Sequence, residues 1–475
     1  MNQEQNADQS GPSAKKMKSN DEDNNPAERA VVAVNGEQQL ADIFKLNIDC
    51  FEEVFDYLSL KDFTAMGQTC KRMQRIAGHC FQLNYGAEQA EFWKDGVFFD
   101  GVRIDCFNNF LQNVYLTNYG DDEDGEDEFD NSGVENATHN HMIGFVTELK
   151  QSRSIKSFEI NGRLTMDWIN EMQVLLSKAE SVKIYGYDEN ENELDALTTA
   201  CSNITYLSLD GQLSQVNEYK WMHRIYQALE HFELDLKSSQ ETPALITFFE
   251  LNTTIKQFSV DAKLLWQNRE LFKNSNIKFD TLEIIHERNV DFHLFCRLLN
   301  ELYEFGFYKK LYFDDSFGTN QGTIDQLATV KGLVKFQAAF KMFSAKVGAL
   351  RNLEEVCVYH SCSFEDLKSL PLMLSNLKRF FFIKASSDDI LPFICHAEKV
   401  NKIKVEQLCS GSHFDQIDKI LDLMTLNKKR EKLVGARKIM IYVSEDVYLA
   451  TKWAMKQTDF KLIEMKRITS YDWKY

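Results

Sequence analysis

An apolar template, L-x-x-L-x-L, recurs along most of this chain at nearly constant spacing, and that recurrence narrows the available folds more than any other feature. Ile155, Phe158 and Ile160 fit it, followed by Ala179, Val182 and Ile184, then Ile204, Leu207 and Leu209, then Leu229, Phe232 and Leu234. Ile255, Phe258 and Val260, then Phe279, Leu282 and Ile284, then Tyr308, Leu311 and Phe313 continue it. The central anchors at 158, 182, 207, 232, 258, 282 and 311 advance by 24 to 29 residues, enough for one strand, one helix and two turns. A longer gap leads to Leu353, Val356 and Val358, then Leu377, Phe380 and Phe382, then Val400, Ile403 and Val405, with Ala436, Ile439 and Ile441 closing the series and Leu111, Val114 and Leu116 opening it. Between templates lie stretches such as Met166, Ile169, Met172 and Leu175, or Phe292, Phe295, Leu298, Leu299 and Leu302, whose apolar residues share one helical face. Such a unit hides its apolar side only against its neighbours. The pattern predicts an α/β solenoid.

This region, residues 80–475, resembles the leucine-rich-repeat family in the form with parallel strands on the concave face and helices on the convex face. The family's Asn or Cys ladder is absent, with Arg163, Tyr187, Gln212, Lys237 and Lys263 at those positions. Three prolines, Pro243, Pro371 and Pro392, fall in the region, which predicts long uninterrupted helices. Because side chains alternate along a strand, residues one and three after each central anchor point to the concave surface. These are Glu159 and Asn161, Lys183 and Tyr185, Ser208 and Asp210, Glu233 and Asp235, Ser259 and Asp261, Glu283 and Ile285, Tyr312 and Asp314, of which seven are acidic and one is basic. Farther along they become Cys357 and Tyr359, Phe381 and Ile383, Lys404 and Glu406, Met440 and Tyr442. The expected substrate groove has an acidic middle formed by Asp210, Glu233, Asp235, Asp261, Glu283 and Asp314. Its apolar end is formed by Phe381, Ile383, Met440 and Tyr442, and such a surface suits a basic protein partner. A solvated face of mixed charge is the alternative.

A second signal lies ahead of the repeats. In LNIDCFEEVFDYLSLKDFTAMGQTCKRMQRIA, Leu46 to Ala77, the residues Ile48, Phe51, Phe55 and Leu58 recur at helical steps. After a break at Ser59 to Asp62, Phe63, Met66, Cys70, Met73 and Ala77 resume the rhythm. Asn47, Asp49 and Asp62 stand where side-chain oxygens cap helices. The apolar residues are too numerous to bury among themselves. The segment, placed at 40–79, resembles the F-box through Leu46, Asp49, Val54, Phe55, Tyr57, Leu58, Asp62, Phe63, Cys70, Lys71 and Arg72; it differs at Asn47, where proline is usual, and at Met73, where a large aromatic is common. The resemblance implies an all-helical module that docks on the Skp-type adaptor of a cullin-RING ubiquitin ligase. Leu46, Asn47, Asp49, Val54, Leu58, Phe63, Cys70 and Met73 would form its adaptor face.

Residues 1–39 are polar and charged with almost no aromatic content, a composition that predicts a disordered tail. No apolar segment of signal-peptide kind opens the chain, so cytoplasmic or nuclear residence is expected, and Lys15, Lys16 and Lys18 form a short basic cluster. No apolar run reaches the length of a membrane span. The net charge of −18 argues against sequence-independent binding to nucleic acid or anionic lipid. Ten cysteines without a C-x-x-C pair predict reduced thiols. Eight of the ten residues at 121–130, DDEDGEDEFD, are acidic; the expectation is a solvated insertion between repeats, with a docking strip for a basic partner or an autoinhibitory strand as alternatives. His139 and His141 follow it without the further ligands of a structural zinc site. No phosphate loop, dinucleotide fingerprint or G-x-S-x-G occurs. The chain therefore reads as a non-catalytic substrate receptor, with no cofactor implied. A scaffold that uses the F-box for a purpose other than degradation and an enzyme hidden in the repeat region are the alternatives.

Overall fold

The fold is described from a computed structural model. It describes residues 46–117 and 149–468, apart from 87–88, 94–95, 151, 153, 162–163, 189–190, 213–218, 237–241, 286–289, 316–320, 339–346, 348, 359–363, 411–412, 418 and 456–459. The polar tail with its lysine cluster, the acidic run at 121–130 and the two histidines after it lie outside these residues. By contacts the chain divides into residues 1–47 and a unit from Ile48 to Tyr475, and the described helices and strands all belong to the second.

Three helices open that unit: α1 Ile48–Phe55, α2 Leu60–Thr69 and α3 Lys71–Tyr85. The break before α2 ends three residues earlier than expected, because Ser59 rather than Asp62 is the cap: the Ser59 hydroxyl accepts from the Asp62 N–H at 3.2 Å and donates to the Asp62 carboxylate at 2.7 Å. Strands β1 Gln89–Trp93, β2 Gly96–Phe99, β3 Val102–Arg103 and β4 Asn113–Thr117 follow, with a 3-10 turn at Asp105–Phe110. The helices close onto this region through aromatic contacts, Phe63 and Phe81 meeting Phe107 at 5.4 and 4.8 Å and Tyr85 meeting Phe99 at 5.7 Å. Gly78 permits the approach of α3, since a Cβ there would fall on the ring of Phe110.

The repeats form one sheet: β5 Ser157–Asn161, β6 Ser181–Asp188, β7 Tyr206–Gln212, β8 His231–Leu236, β9 Gln257–Asp261, β10 Phe279–Ile285, β11 Tyr308–Asp315, β12 Leu333–Ala338, β13 Glu355–Val358, β14 Arg379–Ser386, β15 Lys402–Ser410, β16 His413–Ile417, β17 Ile439–Val443 and β18 Ile463–Arg467. From β4 to β15 each strand pairs in parallel with the next, and β15 passes to β17 and β17 to β18 in the same sense. Antiparallel β16 is an excursion from β15. The anchors stack in one row, Val114, Phe158, Val182, Leu207, Phe232, Phe258, Leu282 and Leu311. The chain is thus an N-terminal group of helices followed by a parallel-strand solenoid of mixed α/β class.

Of the described parallel strands after β4, two escaped the template. β12 lies in the long gap because a register shift opposite Leu311 and Tyr312 separates its apolar residues Leu333 and Phe336 by an extra position. β18 has Arg467 where the template asks for its last apolar residue, opposite Val443. A further correction concerns β17: Ile403 pairs with Ile441, so the central anchor is Ile441 rather than Ile439. A template with apolar residues at alternate positions fits equally well after a slip of two.

Behind the strands runs a core rich in phenylalanine. The rings of Phe232 and Phe258 stack at 6.1 Å, Phe249 meets Phe258 and Phe279 at 4.8 and 5.0 Å, and Phe307 meets Phe279 and Phe272 at 5.1 and 5.2 Å. This chain of offset and edge contacts ties β8 to β11 and gives the repeats their mutual support. The family's missing polar ladder is replaced by asparagines near helix C-termini. Asn252 accepts from the Tyr226 N–H at 2.6 Å and donates to the carbonyl of Arg224, and Asn268 accepts from the Thr242 N–H at 2.7 Å. Asn300 and Asn427 serve the amides of Lys331 and Leu462 in the same way. The helices are shorter than expected, and Pro371 and Pro392 lie inside them at Phe364–Met373 and Ser387–His396. Among the described residues, no helix is long and apolar enough to cross a membrane.

Candidate functional site: the helical module and the inner strand face

In α1 the apolar residues divide between two directions. Phe51 and Phe55 are buried and in ring contact at 5.8 Å, while Ile48 and Val54 are 53% and 39% exposed. Leu46 and Leu58 are half-buried; Asn47 and Asp49 are exposed. Cys70 is exposed at the junction of α2 and α3, where its Sγ accepts from the Met73 N–H at 3.5 Å as the cap of α3. That hydrogen bond holds the Cys70 thiol below its ordinary pKa. Phe63 and Met73, both assigned to the adaptor face from the sequence, lie in the core of the chain itself. Phe63 packs on Phe107 of the 3-10 turn that follows, a neighbour that periodicity cannot reveal.

The corner between α1 and α2 is held by the last repeat. The Arg467 guanidinium donates to the carbonyls of Asp56 and Leu58 at 3.0 and 3.2 Å, satisfying acceptors just beyond the C-terminus of α1. Glu445 accepts from the Leu60 N–H at 3.4 Å at the start of α2, and from the Tyr85 hydroxyl at 2.6 Å. A cation therefore meets the carbonyl end of one helix and a carboxylate the amide end of the next, the favourable sign at each dipole. Asp56 is gripped from the side by Lys452 at 2.9 Å and by the Tyr448 hydroxyl at 3.1 Å. The Tyr85 hydroxyl also contacts Arg467; burial, opposed by Arg467 and reinforced by Glu445, pushes its pKa far above the ordinary range. None of these partners was legible in the sequence, because they stand about 400 residues apart.

Residues 43–80 match the F-box domain family. This segment is an F-box. No curated protein matches the chain. Solved structures with some likeness include a chain of the Toll–Spatzle complex from Drosophila (10% identity over 70% of this chain and 47% of that one, TM-score 0.23) and a leucine-rich-repeat protein of Leptospira interrogans (11% identity over 63% and 87%, TM-score 0.20). At such scores neither likeness carries an argument, and the repeat architecture rests on the strand ladder itself.

Beyond the F-box, the inner strand face presents two rows. One runs Glu159, Lys183, Ser208, Glu233, Ser259, Glu283, Tyr312, Lys335, Glu355, Arg379, Lys402, Met440 and Glu464. Its charges answer one another: Lys183 lies 3.7 Å from Glu233, Lys335 3.6 Å from Glu283 and Arg379 2.7 Å from Glu355. Burial disfavours the Glu233 carboxylate, but Lys183 and the Tyr206 hydroxyl, donating at 2.6 Å, outweigh it and hold its pKa below the ordinary value. The Lys335 ammonium, disfavoured by burial, is held above its ordinary pKa by Glu283 and Glu355. Beside this row His231 meets Ser259 at 2.9 Å, and Ser259 donates to Glu283 at 2.8 Å.

The second row holds Tyr185, Asp210, Asp235, Asp261, Ile285, Asp314, Gln337, Cys357, Phe381, Lys404, Tyr442 and Lys466. Asp261 is buried and caps the Ala262–Gln267 helix, accepting from the Leu264 N–H at 2.9 Å, so it does not line an open groove. Asp210 and Asp235 are half-buried neighbours, and Gln337 donates to Asp314 at 2.8 Å. The acidic middle is thus narrower than the sequence implied, because β12 supplies Lys335 and β14 supplies Arg379. The apolar end is also changed. Phe381 packs with Cys357 and half-buried Ile383, Lys404 lies 4.9 Å from the Phe381 ring, Tyr442 is buried, and Met440 falls in the other row beside Lys402.

Proposed function

We propose that this chain is the substrate receptor of a cullin-RING ubiquitin ligase, its F-box held by a Skp-type adaptor and its inner strand face holding a protein substrate. The observation that carries this reading is the F-box match at 43–80 together with Ile48 and Val54, apolar and exposed on a helix whose other large apolar residues are buried. Asp49, Leu58 and Cys70 complete the proposed adaptor face, and Phe63 and Met73 support it from within. The receptor contributes proximity, raising the local concentration of substrate lysines near a loaded conjugating enzyme. On the strand face, Glu159, Asp210 and Asp235 favour a basic segment of substrate. The setting is cytoplasmic or nuclear.

Ile48→Asp with Val54→Asp tests the reading. Adaptor capture by the purified chain should fall by about tenfold or more, the loss typical of interface anchors, with the melting temperature nearly unchanged because both side chains are exposed. Undiminished capture would overturn it. A cullin that accompanies the captured adaptor supports the ligase role, and an adaptor that arrives without one supports the scaffold.

A further inference from the structure

The last repeat does more than grip the F-box corner. Glu445, Tyr448 and Lys452 recur at helical steps along the Glu445–Ala454 helix, so they share the face that meets α1 and α2. Trp453, the next residue, is 69% exposed, yet its ring stands 5.6 Å from that of Tyr57 at an edge-on 73°. Tyr57 in turn donates its N–H to the carbonyl of Val54 at 3.1 Å, one turn from that exposed valine. Val54 and Tyr57, three residues apart across this turn, and Trp453, in ring contact with Tyr57, thus mark an apolar strip that crosses the junction of the two segments. Arg467, Glu445 and Lys452 fix the two segments in register.

We infer that Trp453 of the last repeat is part of the adaptor-binding surface, extending the F-box face from Ile48 and Val54 onto the Glu445–Ala454 helix. This rests on the function proposed above. The occupant follows from continuity: the strip begins on the F-box residues that face the adaptor, and an adaptor seated on Val54 meets Trp453 past Tyr57. A tryptophan left two-thirds exposed at the rim of an apolar strip is a residue type that supplies much of the binding energy when a partner covers it. The first and last parts of the chain would then be read together by one partner.

The experiment measures binding of purified Skp-type adaptor to the full-length chain by biolayer interferometry. Four variants are compared: Trp453→Ala, Trp453→Phe, Val434→Ala at an exposed valine elsewhere, and Ile48→Asp with Val54→Asp. Trp453→Ala should weaken binding about tenfold or more, chiefly through faster dissociation. Trp453→Phe should recover most of the loss, and Val434→Ala should bind as wild type. Hydroxyl-radical footprinting of the wild-type chain supplies a readout independent of folding: oxidation of Trp453 should fall when adaptor is added. Wild-type affinity of Trp453→Ala, or unchanged oxidation of Trp453, overturns the inference and leaves the F-box reading standing when the Ile48 and Val54 variant loses capture. Should that variant also bind as wild type, the F-box reading fails with it.

Discussion

Arg430 has no solvent exposure, and its guanidinium donates to the carbonyls of Ile394, Ala397, Glu398, Val400 and Arg437 at 2.8 to 3.2 Å. It closes the end of the Ser387–His396 helix and the turn into β15, although burial draws its pKa down to about 10. Arg430→Met would strand these acceptors without donors, and the loss should be on the order of 3–5 kcal/mol in urea unfolding; a change under about 1 kcal/mol would show that water replaces the guanidinium. His231 carries a different liability. Burial holds its imidazole at about 4, against an ordinary 6.5, so an unfolded chain takes up the proton first. Stability from this residue is complete above about pH 6.5 and declines as pH falls toward 4, by up to roughly 3 kcal/mol. His231→Gln should flatten that stretch of the stability curve, and an identical slope in the variant would assign the acid sensitivity to other groups.

At the scale of elements, the junction of α1 and α2 with β18 is the unusual contact, because the first helices of the unit are capped by side chains from the last repeat. Arg467 and Glu445 stand where intrahelical hydrogen bonds run out, and Lys452 adds an ion pair to Asp56 that is partly shielded, with side-chain exposures of 13% and 33%. A double-mutant cycle on Asp56→Ala and Lys452→Ala should return a coupling of about 1 kcal/mol, above a typical surface pair and below a buried one. Arg467→Met should speed amide hydrogen exchange at Asp56–Leu60 in the folded protein. Exchange at wild-type rates there would mean that the corner holds its shape without the last repeat.

For the whole molecule, a net charge of −18 sets the sign of long-range attraction, and local pairing sets where it acts. Lys183, Lys335 and Arg379 neutralise much of one strand row, and the proposed contact with a basic segment is placed on the neighbouring Asp210 and Asp235. Asp210→Lys with Asp235→Lys should remove salt-sensitive proteins from those that co-purify with the chain while adaptor capture stays intact, since exposed charges are screened over about 8 Å at physiological ionic strength. If the same proteins co-purify with this variant, the substrate is held by loops or by the helical side.

Periodicity alone determined the class of fold. An apolar residue at every second position followed by an apolar helical stripe dictates strand then helix, and a period near 25 residues leaves stacking as the way to bury the stripe. The helical module was equally legible, because its apolar spacing and its Cys70, Lys71 and Arg72 signature are local. What local pattern cannot carry is which atoms meet across distance. β12 was hidden by one extra residue at a register shift, and β17 was misread by two because an alternating template is unchanged by that slip. Phe63 and Met73 carry the same helical signal as Ile48 and Val54, yet the chain buries the first pair, Phe63 against Phe107, and leaves the second pair exposed. The acidic count along the inner face became a set of ion pairs once Lys335 and Arg379 took their places in the row. Tertiary structure decided these matters because charge and burial are properties of neighbours, and here the neighbours of the first helices include residues 445 to 467.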